Sequence, residues 1–396
     1  MKIAIISTWF SEKMGYSENF LPKALAQLGH EVHLVSSNTQ IYYSSPDYKE
    51  IYEPFLGPNI VDCGIKKIDG FILHRLPYYK TKSALPGILG LRKYLEDLKP
   101  DIIQTYEVDD INTYESAMAA KKIGCKFFTE SHMHASVFKN DNKNFKQRIK
   151  SFLKNFNFQL KIINSITSKC FPISQDAASI ANFFQKVPLN KIKVQSLGVD
   201  TNLFRPLAND EDCKDRNILR KKLGFKESDV VCIYTGRFTK DKNPRCLALA
   251  IDYLNKNGHF FGGLFVGSGN EEENKFISSM EGCVVHPFVL VNSLPSFYRA
   301  AEIGVWPRQE SISQLDAVAC GLPIVVSNKV QVTERVEGNG LFYEENNYLD
   351  LANKLIVLKN FDLRKKMGDC GIKKILDNYS WLAIAKERIK YYQESL

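Results

Sequence analysis

The stretch QESISQLDAVACGLPIVVS, Gln309 to Ser327, reads as a helix entered through serines, left through a glycine and followed at once by an apolar strand. Ser311 and Ser313 are good N-cap residues, and Gln314 to Cys320 carry apolar side chains at helical spacing. Gly321-Leu322-Pro323 ends the helix and opens the strand Ile324 to Val326. A helix of this kind points free N–H groups, those of Ser311, Ile312 and Ser313, and the positive end of its dipole at whatever precedes it, which favours an anion. Glu310 lies just outside the helix and Asp316 one turn in, and both can accept hydrogen bonds from sugar or ribose hydroxyls. Ser313 and Asp316 also fit a capping box, in which Asp316 only satisfies a backbone N–H, and the stretch alone leaves both readings open.

About seventy residues upstream, GRFTKDKNP, Gly236 to Pro244, follows the apolar run Val230 to Tyr234. Arg237 then falls at the carboxyl end of a strand and Lys242 near a helix start, the place where open parallel sheets bind ligands. A guanidinium fork and a compact ammonium suit a diphosphate that gains charge as it leaves. The alternative is a solvated lysine-rich turn. Gly267-Ser268-Gly269, after Val266, reads as a turn.

Strand-like runs alternate with helical patterns along the whole chain, as in a parallel sheet with helices on both faces. The first series has strands at Lys2 to Ser7, Glu31 to Ser36, Ile102 to Gln104, Lys126 to Thr129 and Cys170 to Ile173. The second, from Asp229, has Gly263 to Val266, Val284 to His286, Ile303 to Trp306 and Ile324 to Val326. Between them Asn209 to Asp215 reads as an acidic hinge loop. Its Asp210 and Asp212 form an Asp-x-Asp pair with no strand ahead of it, which argues against a metal role. The loop after the first strand holds one glycine and no GxGxxG, so a nicotinamide dehydrogenase is disfavoured.

At 396 residues, 44% hydrophobic and 24% charged, the chain suits two soluble domains. Nine cysteines without a CxxC pair read as reduced thiols of a cytoplasmic protein. The apolar run at Met1 to Ile6 is too short for a signal peptide, and no run approaches the roughly twenty residues that span a bilayer. Net charge is 53 minus 44, or +9, yet no nucleic-acid module appears. Between 143 and 161 Lys143, Lys146, Arg148, Lys150, Lys154 and Lys161 interleave with Phe145, Ile149, Phe152, Leu153, Phe156 and Leu160. That is an amphipathic basic helix, packed on its domain or docked peripherally on a membrane.

The two motifs, joined in order by IAIIS (Ile3 to Ser7), LGHEVHLVSS (Leu28 to Ser37), KPDIIQTY (Lys99 to Tyr106), SLGVDTNLFRP (Ser196 to Pro206) and LPSFYRAAEIGVWP (Leu294 to Pro307), resemble the retaining glycosyltransferases of family 4, the glycosyl transferases group 1. The resemblance implies an α/β fold of GT-B type, two Rossmann-like doubly wound parallel-sheet domains facing each other across a cleft. Residues 1–200 would bind the acceptor, 201–379 the nucleotide sugar, and a helix at 380–396 would cross back to the first domain. It implies a nucleoside-diphosphate sugar as co-substrate, no cofactor or metal, and a saccharide or lipid-linked acceptor, commonly in surface polysaccharide synthesis. Arg237 and Lys242 would then stabilise the leaving diphosphate, Glu310 with the backbone of Ser311 to Ser313 would orient the sugar, and Asp316 would hold the ribose. Gly15 would let a loop close over the diphosphate, and His132, in FFTESHMHAS, would sit by the transferred sugar as a neutral donor. The base would meet backbone at Pro287, Phe288 and Val289. One departure stands out: the family spaces two glutamates by seven residues, whereas five separate Glu310 from Asp316, and strict register puts Arg308 opposite the first acid. An epimerase of the same fold and a catalytically silent nucleotide-binding chain are the alternatives.

Overall fold

Strands that are apolar on both sides need cover on both faces. In the computed structural model, which describes residues 1–81, 85–133, 157–308 and 310–396, the chain builds two such sheets. They lie in two units, one comprising 1–197 with 381–396 and the other 198–380, so the second is inserted into the first.

The first unit holds β1 (Lys2–Ser7), β2 (Glu31–Ser37), β3 (Gly64–Ile68), β4 (Phe71–Leu76), β5 (Tyr78–Tyr79), β6 (Gly87–Ile88), β7 (Ile102–Thr105), β8 (Lys126–Ser131) and β9 (Thr167–Pro172). Seven of them form a sheet in the order β3-β4-β2-β1-β7-β8-β9, while β5 and β6 pair separately. Along β1, Ile3 and Ile5 pack on one face with Leu21 and Leu25 of helix Ser17–Gln27 and with Trp381 and Tyr392 of helix Trp381–Ser395. Ala4 and Ile6 face the other way, against Leu91 and Leu95 of helix Leu91–Leu98 and Ala117 and Ala120 of helix Ile111–Ile123. The β3–β4 edge hairpin is antiparallel, and the alternating-strand reading passed over it. Its turn is Asp69-Gly70, both at positive φ (47° and 91°), the pairing that a two-residue hairpin with right-handed strand twist requires. Of the basic amphipathic segment expected over 143–161, residues 143–156 lie outside the described residues, and helix Asn157–Ile166 takes up the remainder.

The second unit holds β10 (Val230–Phe238), β11 (Phe261–Gly269), β12 (Cys283–His286), β13 (Ile303–Trp306), β14 (Ile324–Ser327) and β15 (Gly340–Tyr343). Its order is β12-β11-β10-β13-β14-β15, with every neighbour parallel. Strand order therefore reverses between β10 and β13, and the crevice beyond the carboxyl ends of that pair is where such sheets take ligands. Gly267-Ser268-Gly269 is the end of β11 rather than a turn. Gly236 and Gly267 sit opposite each other at φ 141° and 150°, and a Cβ on Gly267 would lie 1.9 Å from the Gly236 carbonyl oxygen. Only glycine lets these two strand ends approach so closely.

The stretch read as an acidic hinge loop is instead the first turn of helix Asp210–Lys222. Asn209 caps it by accepting from the Asp212 N–H, and Asp210, Glu211 and Asp212 suit the positive end of the helix dipole. Asp212 is further bound by both terminal nitrogens of Arg205, at 2.6 and 3.1 Å, which hold its carboxyl down at about 2.

Candidate functional site

In the second unit the β10–β13 reversal gathers Arg237, Lys242, Glu310, Ser311, Ile312, Ser313 and Asp316. Arg237 is the penultimate residue of β10, its carbonyl fixed by the Tyr234 hydroxyl at 2.8 Å. Its side chain is exposed and makes no ion pair or hydrogen bond among the described residues. Lys242 follows in a tight turn, where its N–H and that of Asn243 both donate to the Thr239 carbonyl, and helix Pro244–Lys256 starts next. The Lys242 ammonium reaches across to donate to the Glu310 carbonyl at 3.1 Å, tying the β10 loop to the β13 loop. Burial pushes that ammonium below its usual range and the neighbouring positive charge of Arg237 adds to this, against the pull of Asp241 and Glu310.

Glu310 uses one carboxylate oxygen to accept the backbone N–H groups of Gln331 and Val332, at 2.5 and 3.0 Å, leaving the other oxygen for a ligand. Arg308, the residue in register with the family's first acid, donates to the Lys240 carbonyl and pairs with Glu345 at 3.4 Å. Gln309 lies outside the described residues.

The helix runs Ser313–Ala319, seven residues, and neither serine caps it. Their hydroxyls bond each other at 2.7 Å, and the Trp306 indole N–H donates to Ser313 Oγ at 3.1 Å. Trp306 is the last residue of β13, and its indole captures the hydroxyl expected to cap the helix. A helix this short adds little dipole. What remains for an anion is the backbone of Ser311 and Ile312, whose amides make no hydrogen bond among the described residues. Nor does Asp316 complete a capping box: its carboxyl has no hydrogen-bond partner among the described residues, and burial pushes it up to about 8. Tyr298, which donates to the Ser313 carbonyl and bonds the Thr235 hydroxyl, braces this corner; it lies in the LPSFYRAAEIGVWP motif, which assigned it no role.

Pro287 and Phe288 follow β12, two strands from β10. Pro287, with Gly267 and Ser268, lines an open pocket of about 780 Å³. Phe288 is exposed. Strand register levels this region with the cations, since Arg237 pairs with Ser268 and Val266 with His286.

Gly15 and His132 belong to the first unit. Gly15 has φ 69° in the loop between β1 and its helix. His132 follows β8 and its Nε2 lies 2.8 Å from Glu130 Oε2. The other Glu130 oxygen accepts from Arg388 and from Gln104 Nε2, both at 2.8 Å. Burial opposes charge on the imidazole, but the bond to Glu130, with the nearby charges of Glu107 and Glu18, outweighs it and raises the pKa above the usual histidine value. The resemblance implied a neutral donor; the bond to Glu130 shifts the balance toward the charged form. Further acids crowd this end of the sheet: burial, with the neighbouring acids, pushes Glu107 up to about 8 and Asp109 up to about 6. His134 lies outside the described residues.

Residues 229–360, within the second unit, match the family model described as Glycosyl transferases group 1. Over 94% of this chain and 92% of the relative, the sequence is 23% identical to an uncharacterized glycosyltransferase of Methanocaldococcus jannaschii. Among solved structures, a glycosyltransferase from Rickettsia africae superposes with a TM-score of 0.68 at 16% identity, covering 99% of this chain and 98% of that one. Anabaena HepE in complex with UDP-glucose gives 0.64 at 16% identity over the full length of both chains. The fold is GT-B, and family match, relative and structural neighbours together support a glycosyltransferase of that superfamily. No helix among the described residues is long and apolar enough to cross a membrane.

Proposed function

We propose that the chain is a retaining, metal-independent glycosyltransferase that moves a sugar from a nucleoside-diphosphate sugar to a hydroxyl of a saccharide or lipid-linked acceptor, in the cytoplasm and in the service of surface polysaccharide or glycoconjugate synthesis. The observation that carries this is the meeting of two cations, Arg237 and Lys242, at the β10–β13 reversal, close enough that one lowers the pKa of the other. Like charges gathered at a strand-end crevice are in place for an anion. A diphosphate there would lie between the pocket at Pro287, on the base side, and Glu310 with Asp316, on the sugar and ribose side. From β12 to β13 is three strand spacings, about 14 Å, room for a nucleotide laid across the strand ends.

Arg237 and Lys242 would neutralise charge as the bond to the anomeric carbon breaks, and the departing diphosphate would help deprotonate the incoming hydroxyl on the same face. The protein's part is then positioning and electrostatic stabilisation, with no covalent intermediate required. The chain should be incubated with labelled UDP-, GDP- and ADP-sugars plus a saccharide acceptor, with and without EDTA, and the anomeric configuration of the product read by NMR. Transfer with retention, unaffected by EDTA, is expected. Isomerisation without an acceptor, or binding with no turnover, would instead point to an epimerase or to a silent binder.

A further inference from the structure

Of the buried arginines, Arg388 and Arg220 are tied down by several hydrogen bonds, though Arg220 Nε has no partner among the described residues. Arg388 is held by Gln195, Gln104 and Glu130. Arg220 is held by Glu302 and by the carbonyls of Ala300, Lys226 and Asp229. Arg75, on β4, is only 9% exposed, yet its side chain makes no hydrogen bond or ion pair among the described residues, and one terminal nitrogen is fully buried without a partner. Its one contact of note is the Phe10 ring, 5.5 Å from the guanidinium carbon. A guanidinium does not shed its proton in a protein, so the cost of desolvating it stands unless something anionic meets it.

Arg75 lines a cavity of about 420 Å³ beyond the carboxyl ends of β2 and β4, built wholly from the first unit. Leu56, Leu73 and Ile65 give it an apolar wall, and Lys13 adds a second cation. The nearby acid, Glu12, is paired with Lys66 at 3.2 Å. Gln40, also on the wall, has its amide taken by Ser11 and the Leu56 carbonyl. Asp62 also lines the cavity, but of the buried polar groups on its wall the one with unmet capacity among the described residues is a cation, Arg75, beside a surface able to take the carbon face of a sugar.

The geometry points to this cavity as a subsite for an anionic saccharide, its carboxylate or phosphate received by the Arg75 fork. The loop that carries Gly15 also supplies Glu12 and Lys13, so the occupant belongs with the acceptor. Its identity as acceptor rests on the glycosyltransferase reading; the anion site rests on Arg75 alone. Carboxylate and phosphate share the chemistry that a guanidinium fork recognises.

Isothermal titration of the full chain with glucuronate, glucose 6-phosphate, inorganic phosphate and methyl glucoside tests this, on wild type, Arg75→Met and Arg75→Lys. At least one charged sugar should bind wild type, lose tenfold or more in affinity in Arg75→Met, and retain part of it in Arg75→Lys. Binding of glucuronate alone assigns a carboxylate, and of glucose 6-phosphate alone a phosphate. Inorganic phosphate binding as well as glucose 6-phosphate, or methyl glucoside binding as well as either charged sugar, overturns the saccharide subsite. So does failure of every anion at millimolar concentration, or equal binding by Arg75→Met. Thermal unfolding guards against a structural role: the Met variant should melt at or above the wild-type temperature, and a fall of several degrees overturns the proposal. UDP titrated into the same proteins should bind all three alike. If UDP fails throughout while the charged sugar binds, the donor reading fails and the anion site stands.

Discussion

The two units share a doubly wound sheet but dress its ligand end in opposite charge. At the carboxyl ends of β7 and β8 the first unit gathers Glu107, Asp109, Glu130 and His132, and an internal cation, Arg388, is spent on holding Glu130. At the corresponding end of β10 the second unit presents Arg237, with no hydrogen bond or ion pair among the described residues, and Lys242, bonded to a carbonyl. In the first Arg388 and His132 both bond Glu130 while Glu107 and Asp109 crowd beside it, and in the second cations are left over. A fold fixes where a ligand goes, and the loop residues fix what it can be. Arg75 breaks the pattern within the first unit, as an unmet cation away from the acid cluster.

The sharpest way to break this comparison is to exchange what each cation does. Arg388→Ala removes the partner of a fully buried carboxylate and should cost about 3–5 kcal/mol of stability, read as a fall in the denaturant midpoint of the first unit. UDP binding should survive below the new transition. Lys242→Ala should do the reverse: little change in unfolding, but a loss of about 10²- to 10³-fold in kcat, the range seen when one stabiliser of transition-state charge is removed. Were Arg388→Ala to lose turnover without losing stability, the division between structural and functional cations would be wrong.

Acid should separate the units further. His74 on β4 is buried against His33 at 2.8 Å and accepts or donates to Tyr94 at 2.7 Å, and burial, then the charge of His33, lowers its pKa from 6.5 to about 4. The unfolded chain therefore takes up a proton before the folded one does. The stability tied to neutral His74 is fully present above about pH 6.5 and is lost as pH falls toward 4, up to roughly 3 kcal/mol. Glu31 bonds His33 at 2.9 Å and is the nearest counter-charge. Melting curves from pH 7.5 to 5 should show this slope in wild type, and it should shrink in His74→Gln.

The parallel strands were legible because sheets covered on both faces leave near-continuous apolar runs, as at Ile3 to Ile6 and Val230 to Tyr234. The β3–β4 hairpin carried its own signal, Asp69-Gly70, but Lys66 and Lys67 on an exposed edge hid the strand beside it. The helix after β13 was legible, and its cap was not, because the competing donor is the Trp306 side chain and sequence spacing does not show where an indole points. His132 was picked out on sequence, but its charge state depends on Glu130 and so on Arg388, 258 positions from Glu130. Pairings across that separation leave no local trace. Arg75 was invisible for a related reason: an arginine among apolar strand residues reads as solvent-facing until burial shows otherwise.

The smallest expected effect concerns a second-unit acid, Asp316, whose carboxyl has no hydrogen-bond partner among the described residues. Asp316 is raised from 3.8 to about 8 by burial, so at pH 7 the unliganded protein holds it mostly protonated. Raised acids contribute stability that is complete below the unfolded pKa and is lost as pH rises through the folded one, here between about 4 and 8. Because the residue is only half-buried, solvent screens part of this, and Asp316→Asn should gain about 1 kcal/mol on wild type above pH 8. Ribose hydroxyls donate best to an ionised carboxylate. If Asp316 receives them, binding UDP at pH 7 should release a fraction of a proton. Calorimetry in buffers of different ionisation heat reads that proton directly. Release in wild type and its absence in Asp316→Asn, with affinity down about tenfold, would make this acid a ligand contact; identical proton release, or none, in both would leave it as a side chain of the helix and nothing more.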